Sequence, residues 1–334
     1  MEGVDLIVPN EQKDTIPERI AARFALNSDP HSTLHTPQSV RPRTRTRAVV
    51  KVQDGCDHFC SYCVIPYARP RKSSRPLEEV AAELKSLAEF GYKEVVLTGI
   101  RLGSYEDGSA RLPGLIRCAS EIHGIERIRL SSIEPWEVDD ALLDAMQSPK
   151  VCRHLHVPLQ SGDDEILRGM NRPYDSDEYS RLIGRVRERI NGIGITTDVI
   201  VGFPGESNRA LDNTRSLVEG IGFARLHVFR FSPRGHTEAA SMPGQIDART
   251  SKLRAEKMAE LARGAMRRFA GSQVGQTLDV LVESIAEPSK VLTGLADNYV
   301  QVKFPGDSSL VGEIVRVGIK GVDQDGIAIS DGRG

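Results

Sequence analysis

The chain has 334 residues, enough for two or three domains or for one large α/β domain with an appendage. Its 44 basic residues face 46 acidic ones, so a net charge of −2 excludes a uniformly basic protein and confines any nucleic-acid contact to local patches. With 39% hydrophobic and 27% charged residues the composition is globular, which excludes a disordered chain, and every apolar run falls far short of the ~18–20 residues of a membrane span. The N-terminus lacks the basic flank and apolar stretch of a secretion signal, which implies a cytoplasmic, reducing compartment. In chain order, Val4 to Val8 and a helical stretch to Phe24 predict one strand and one helix, too little to bury a core. Residues 1–27 therefore look like the tail of a preceding domain. Residues 28–46, with Pro30, Pro37, Pro42 and repeated Thr-Arg, predict a polar linker.

From Arg47 the pattern alternates. Ala48 to Val52 predicts a strand, and Pro76 to Phe90 a helix with Leu77, Val80, Leu84 and Leu87 on one face. Further strands are predicted at Glu94 to Ile100, Arg127 to Ser132, Val151 to Val157, Ile195 to Val201 and Arg225 to Phe231. Strands in βαβ succession imply a parallel sheet, either curled into a partial barrel or left open, with the chemistry at the strand C-terminal ends. A long helix from Arg249 to Ala270 leads to residues 271–334. There, short alternating runs at Thr277 to Val282, Val291 to Gly294, Tyr299 to Phe304, Val311 to Val317 and Gly326 to Ser330 predict a small antiparallel, OB-like barrel.

Cysteine placement carries the chemistry. Cys56, Cys60 and Cys63 form a C-x3-C-x2-C loop directly after the first strand. Three thiolates so spaced can hold a 4Fe-4S cluster and leave one iron without a protein ligand. The alternative is structural zinc, but zinc sites close with four ligands and favour C-x2-C pairs, and His58 is badly placed to be the fourth. Cys118 and Cys152 are expected to be small buried hydrophobes. His154 and His156 share one face of their strand and are expected to be packed and hydrogen-bonded, with a metal role as the alternative.

This loop and its place resemble the radical S-adenosylmethionine superfamily. Four further motifs, Leu97-Thr98-Gly99-Ile100-Arg101-Leu102-Gly103-Ser104-Tyr105, Ser131-Ser132-Ile133-Glu134-Pro135, His156-Val157-Pro158-Leu159-Gln160-Ser161-Gly162 and Thr197 to Glu206, resemble the methylthiotransferases within it. The first of these is similar to enzymes acting on N6-threonylcarbamoyladenosine beside the tRNA anticodon. The resemblance implies a partial (β/α)6 barrel over 47–270, a TRAM-like RNA-binding domain over 271–334, and addition of a methylthio group to carbon 2 of the modified adenosine. It implies metal ligation by Cys56, Cys60 and Cys63, and an S-adenosylmethionine pocket formed by Tyr62, Gly99, Ser132, Glu134, Asp198 and Gly202. Its partners would be tRNA and an electron donor such as a flavodoxin-type protein, with no membrane and no DNA. Isopentenyladenosine as the substrate, and an RNA-binding protein with a structural cluster, remain the alternatives.

Charge supports RNA. Residues 36–75 hold nine basic and two acidic residues, and Arg41, Arg43, Arg45, Arg47, Arg71 and Arg75 are the candidate phosphate contacts. Residues 249–268 hold seven basic and two acidic residues, whereas 271–334 hold five basic and nine acidic. The family also implies an auxiliary 4Fe-4S cluster on three earlier cysteines, and no cysteine precedes Cys56. The sequence as given is thus expected to cleave the cofactor without installing sulfur.

Overall fold

The computed structural model describes Val8, Gln12, residues 15–23 and residues 45–332. The helix expected near the N-terminus is present as Ile16–Arg23. The strand expected from Val4, most of the 28–46 linker, Arg41 and Arg43 lie outside the described residues.

Six strands run parallel in chain order: β1 Arg47–Asp54, β2 Glu94–Gly99, β3 Arg127–Leu130, β4 His154–His156, β5 Gly194–Val201 and β6 Arg225–Arg230. Ladders join β1 to β2, β2 to β3, β4 to β5 and β5 to β6, and the bridges Ile128 to Val151 and Ser132 to His156 close the step between β3 and β4. The predicted strand from Val151 is shorter than expected. His154 N–H bonds back to the Cys152 carbonyl at 2.7 Å, a tight turn that takes Cys152 and Arg153 out of the ladder.

Strand alternation sorts the side chains. Val50, Val52, Val95, Leu97, Ile128, Leu130, Leu155, Val199 and Val201 are all buried and join one core with the surrounding helices. Leu77–Glu89 supplies Val80 and Leu84 to it, and Leu112–Ser120 supplies Leu115 and Ile116. Each such side chain contributes ~1.5–3 kcal/mol on burial. The opposite faces of the strands, with Glu94, Arg129, His154, His156 and Asp198, line the inside of the curl.

After the helix Ala248–Gly271 the chain forms a second sheet with its own core, including Leu278, Val280, Val302 and Phe304. Its strands are β7 Thr277–Ala286, β8 Val291–Ala296, β9 Gln301–Pro305, β10 Ile314–Gly318, β11 Gly321–Val322 and β12 Ala328–Ile329, in the spatial order β10-β7-β8-β9-β12-β11. The expected antiparallel, OB-like sheet is present, with one two-residue parallel pairing between β9 and β12.

This C-terminal sheet packs against the strand N-termini. Glu94, buried at the start of β2, pairs with Arg129 at 2.8 Å and Arg127 at 3.2 Å. The two guanidinium groups also donate to the carbonyls of Leu295, Ala296 and Asp297. Arg153 pairs with Asp297 at 2.7 Å, and His154 stacks on Tyr299 with centroids 4.1 Å apart. A Cβ at Gly194 would stand 2.0 Å from the Asn298 carbonyl oxygen, so only glycine admits this approach.

Candidate functional site

The opposite end of the strands carries the cysteine loop. β1 ends at Asp54, and Gly55 turns the chain at φ +77°, where a Cβ would meet the Arg71 carbonyl oxygen at 2.0 Å. Gln53 is buried beneath the turn. Its amide donates to the carbonyls of Asp54 and Gly55 at 2.9 and 2.8 Å, and its oxygen accepts from Arg101 N–H at 2.8 Å. A Cβ on Gly99 would lie 2.9 Å from Gln53. The structure thus gives Gly99 a packing reason: its bareness lets Gln53 tie the loop after β1 to the turn after β2.

The loop is strapped to residues 169–172. Ser61 N–H and Oγ donate to the carbonyls of Met170 and Gly169, and Asn171 Nδ2 donates to the Phe59 carbonyl at 2.7 Å. His58 Nε2 lies 2.8 Å from the Asn171 carbonyl, so that nitrogen is engaged away from the thiols.

Cys56, Cys60 and Cys63 are half-buried free thiols. Burial pushes the Cys56 and Cys63 thiols up, with Arg101 opposing it at Cys56, so a metal must displace protons to bind. Cys60 Sγ accepts a hydrogen bond from Arg172 Nη1 at 3.2 Å. A buried donor aimed at a cysteine sulfur, beside two more thiols on the same loop, fits the donor set of a three-cysteine iron-sulfur cluster. Cys152 is buried as expected, but Cys118 is only half-buried on the helix Leu112–Ser120.

The remaining pocket candidates surround this loop unevenly. Tyr62 packs against the apolar cluster of Ile166, Met170, Phe203, Ala210 and Ala239. Ser132 is exposed and bridges to His156. Glu134 pairs with Arg172. Gly202 takes φ +74°, its N–H donates to Glu206 at 2.7 Å, and a Cβ would stand 2.6 Å from Ser251 Oγ, so close packing with the helix Ala248–Gly271 accounts for this glycine.

Asp198 lies 3.2 Å from His156 Nε2, and with His227 the three form a group whose ligand-capable atoms fall within 4.8 Å. Thr196 Oγ1 sits 2.9 Å from both His154 Nε2 and His156 Nδ1. Burial, aided by Arg129, keeps His154 neutral, and its Nδ1 has no partner. A buried N–H is costlier to orphan than a lone pair, which puts the His154 proton on Nε2, facing Thr196. The Thr196 hydroxyl then donates to His156 Nδ1, and His156 Nε2–H to Asp198. Thr196, His156 and Asp198 are thus joined in a hydrogen-bonded chain, in keeping with the packed reading of the histidines.

The phosphate-binding candidates do not form one surface. Arg45 and Arg71 are exposed. Arg47 pairs with Glu283 at 2.6 Å on the C-terminal sheet, whereas Arg71 lies beside Gly55 at the other end of β1, about 26 Å away for eight residues of strand. Arg75 is paired with Glu83 at 2.5 Å and donates to the Lys51 carbonyl. In the second basic run, Arg254 is buried against Glu206.

Arg172, Trp136, Arg101 and Gln53 are the residues that sequence reasoning missed. Trp136 is the hub: the guanidinium carbons of Arg172 and Arg101 lie 4.7 and 5.8 Å from its ring, and His58 stands 4.9 Å away. The signal for it was visible, since Trp136 is the single tryptophan and follows the Ser131 to Pro135 motif directly.

Comparison with known proteins agrees with this geometry. Residues 50–218 match the radical SAM superfamily and residues 271–324 match the TRAM domain. The chain is 36% identical over 324 residues to a threonylcarbamoyladenosine tRNA methylthiotransferase (MtaB) of Chlamydia pneumoniae, covering 96% of this chain and 75% of that protein. The chain belongs to the radical SAM methylthiotransferases. It is also 39% identical over 285 residues to a tRNA-2-methylthio-N(6)-dimethylallyladenosine synthase of a Thermoanaerobacter species, covering 84% of this chain and 60% of that one. The radical SAM methyltransferase TsrM of Kitasatospora setae, solved with cobalamin and a [4Fe-4S] cluster, shares the fold at TM-score 0.51 and 21% identity, over 58% of this chain and 38% of that one. No described helix of this methylthiotransferase is long and apolar enough to cross a membrane.

Proposed function

We propose that this chain modifies tRNA in the cytoplasm, adding a methylthio group to carbon 2 of N6-threonylcarbamoyladenosine next to the anticodon. The observation that carries the reading is the strapped loop of Cys56, Cys60 and Cys63 with Arg172 on the Cys60 sulfur. It is supported by 36% identity to a relative with that named activity. In this reading the three cysteines hold a 4Fe-4S cluster. Tyr62, Gly99, Ser132, Glu134 and Asp198 face S-adenosylmethionine, with Gly202 packing the strand that carries Asp198. A cluster held by Cys56, Cys60 and Cys63 would supply the one-electron chemistry that cleaves the sulfonium of S-adenosylmethionine.

The chain's own residues do the rest. Tyr62 and its apolar neighbours exclude water from one wall of the pocket, where a reactive carbon would otherwise be quenched. Glu134 presents a carboxylate fixed by Arg172 to the cofactor's amino group, and the Thr196 chain fixes His156 to orient Asp198. Among the described candidates Arg45 and Arg71 are the exposed cations left for phosphates, and an electron donor of flavodoxin type would supply the reducing electron. A second reading, dimethylallyladenosine as substrate, is favoured by the 39% identity to a synthase of that name.

Mass spectrometry of tRNA nucleosides from a deletion strain tests the choice. The proposal predicts loss of 2-methylthio-N6-threonylcarbamoyladenosine and its return on complementation. Loss of the dimethylallyl product instead would move the chain to the second reading.

A further inference from the structure

Arg172 is gripped from every side. Its side chain has no solvent exposure. Its Nε donates to Tyr174 Oη at 3.2 Å, its Nη2 pairs with Glu134 Oε2, and its guanidinium lies over the rings of Trp136 and Tyr174 at 4.7 and 5.2 Å. Nη1 carries two hydrogens and spends them on different partners: it lies 3.2 Å from Cys60 Sγ and 3.4 Å from Glu134 Oε1. One donor nitrogen thus serves a sulfur and a carboxylate together.

We propose that Arg172 is a positioning residue for electron entry: it holds the Cys60 sulfur through a donor shared with Glu134, so that Glu134 governs how readily the cluster is reduced. The inference rests on the cluster reading above. A one-electron reduction adds negative charge to the cluster and its sulfurs, and a hydrogen bond and a nearby cation stabilise that added charge. In a site of low dielectric the effect is larger than in water. The Glu134 carboxylate offsets the guanidinium's positive charge, so it works against reduction. A cationic ligand group on Glu134 would offset the carboxylate in turn, and cofactor binding would then favour uptake of the electron from a low-potential one-electron donor.

The test is a potentiometric titration of the anaerobically reconstituted full chain, with dithionite as the reductant, followed by electron paramagnetic resonance without S-adenosylmethionine. Arg172→Gln should make the cluster about tenfold harder to reduce, a negative shift of ~59 mV for one electron. Glu134→Gln should shift it the other way, and the double variant, with both charges gone, should fall between the two single variants. Arg172→Lys, which keeps the charge but loses the planar fork, should fall between. An unchanged potential in Arg172→Gln, or a Glu134→Gln cluster no easier to reduce than the wild type, overturns the inference while leaving the cluster intact. If Arg172→Gln retains no iron, the sign for Glu134→Gln and the position of Arg172→Lys decide. A wild-type chain that assembles no cluster defeats the underlying reading instead.

Discussion

At the N-terminal end of the strands, Arg127 and Arg129 are sealed between Glu94 and the carbonyls of residues 295–297, with His154 stacked on Tyr299 beside them. At the C-terminal end, Arg172 is buried as deeply but donates to a cysteine sulfur and a side-chain carboxylate, and the three thiols of the loop are half-buried. Both ends bury guanidinium groups, yet only one joins its arginine to a thiol. The closed end fixes the C-terminal domain on the barrel, and the open end keeps groups that can change partners. The difference lies in what satisfies each arginine: backbone carbonyls cannot be drawn away by a ligand, whereas Glu134 can.

The sharpest way to break this contrast is to delete one cysteine from each end. Cys60→Ala should lose essentially all cluster iron after anaerobic reconstitution, where the wild type binds about four irons per chain. Cys152→Ala, at the closed end, should keep them. Equal iron in both variants would erase the distinction between the ends.

A smaller effect is expected from charge removal at the closed end. Arg129→Met leaves Glu94 buried with a single remaining guanidinium, and stripping one partner from a buried ion pair costs ~3–5 kcal/mol. Urea unfolding should show this loss, and iron content of the folded variant should stay at the wild-type level.

The mildest test is pH. Burial, then Arg129, depress His154 well below its unfolded value of 6.5. Below that pH the unfolded chain takes up a proton that the folded chain refuses, so stability is complete above pH 6.5 and falls as the pH drops below it. The expected slope is up to ~1.4 kcal/mol per pH unit. At Glu94 burial acts to raise the carboxyl, but Arg129 and Arg127 outweigh it and hold it below its ordinary 4.5, so its loss enters only in stronger acid. Unfolding curves between pH 5 and 7 should be steeper with pH for the wild type than for His154→Gln. An identical dependence in both would show that His154 titrates freely and that the closed end is wetter than described.

How far the sequence reached differs between the ends for a physical reason. The cysteine loop was legible because ligand spacing is local, and the six strands were legible because buried parallel strands have near-continuous apolar runs such as Glu94 to Ile100. Arg172 was not, since it lies 112 residues from Cys60 and meets it only through the fold. Likewise Arg47, in a basic run, looked like a phosphate contact, but its partner Glu283 arrives from the C-terminal sheet. Gly99 and Gly202 were expected to line the cofactor pocket, and what the fold adds is a packing reason for each, since a Cβ would meet Gln53 and Ser251. The parallel pairing of β9 with β12 was hidden because β12 spans two residues, too short to show a period.

The central claim is that the open end holds a three-cysteine cluster whose remaining iron takes S-adenosylmethionine. It is tested most directly by recording the electron paramagnetic resonance spectrum of the reduced, reconstituted chain before and after adding S-adenosylmethionine. The account predicts a 4Fe-4S signal in the wild type that changes on addition of the cofactor, with 5′-deoxyadenosine released under reducing conditions. A signal indifferent to S-adenosylmethionine, or a protein that binds zinc in place of iron under iron-replete anaerobic conditions, would contradict it.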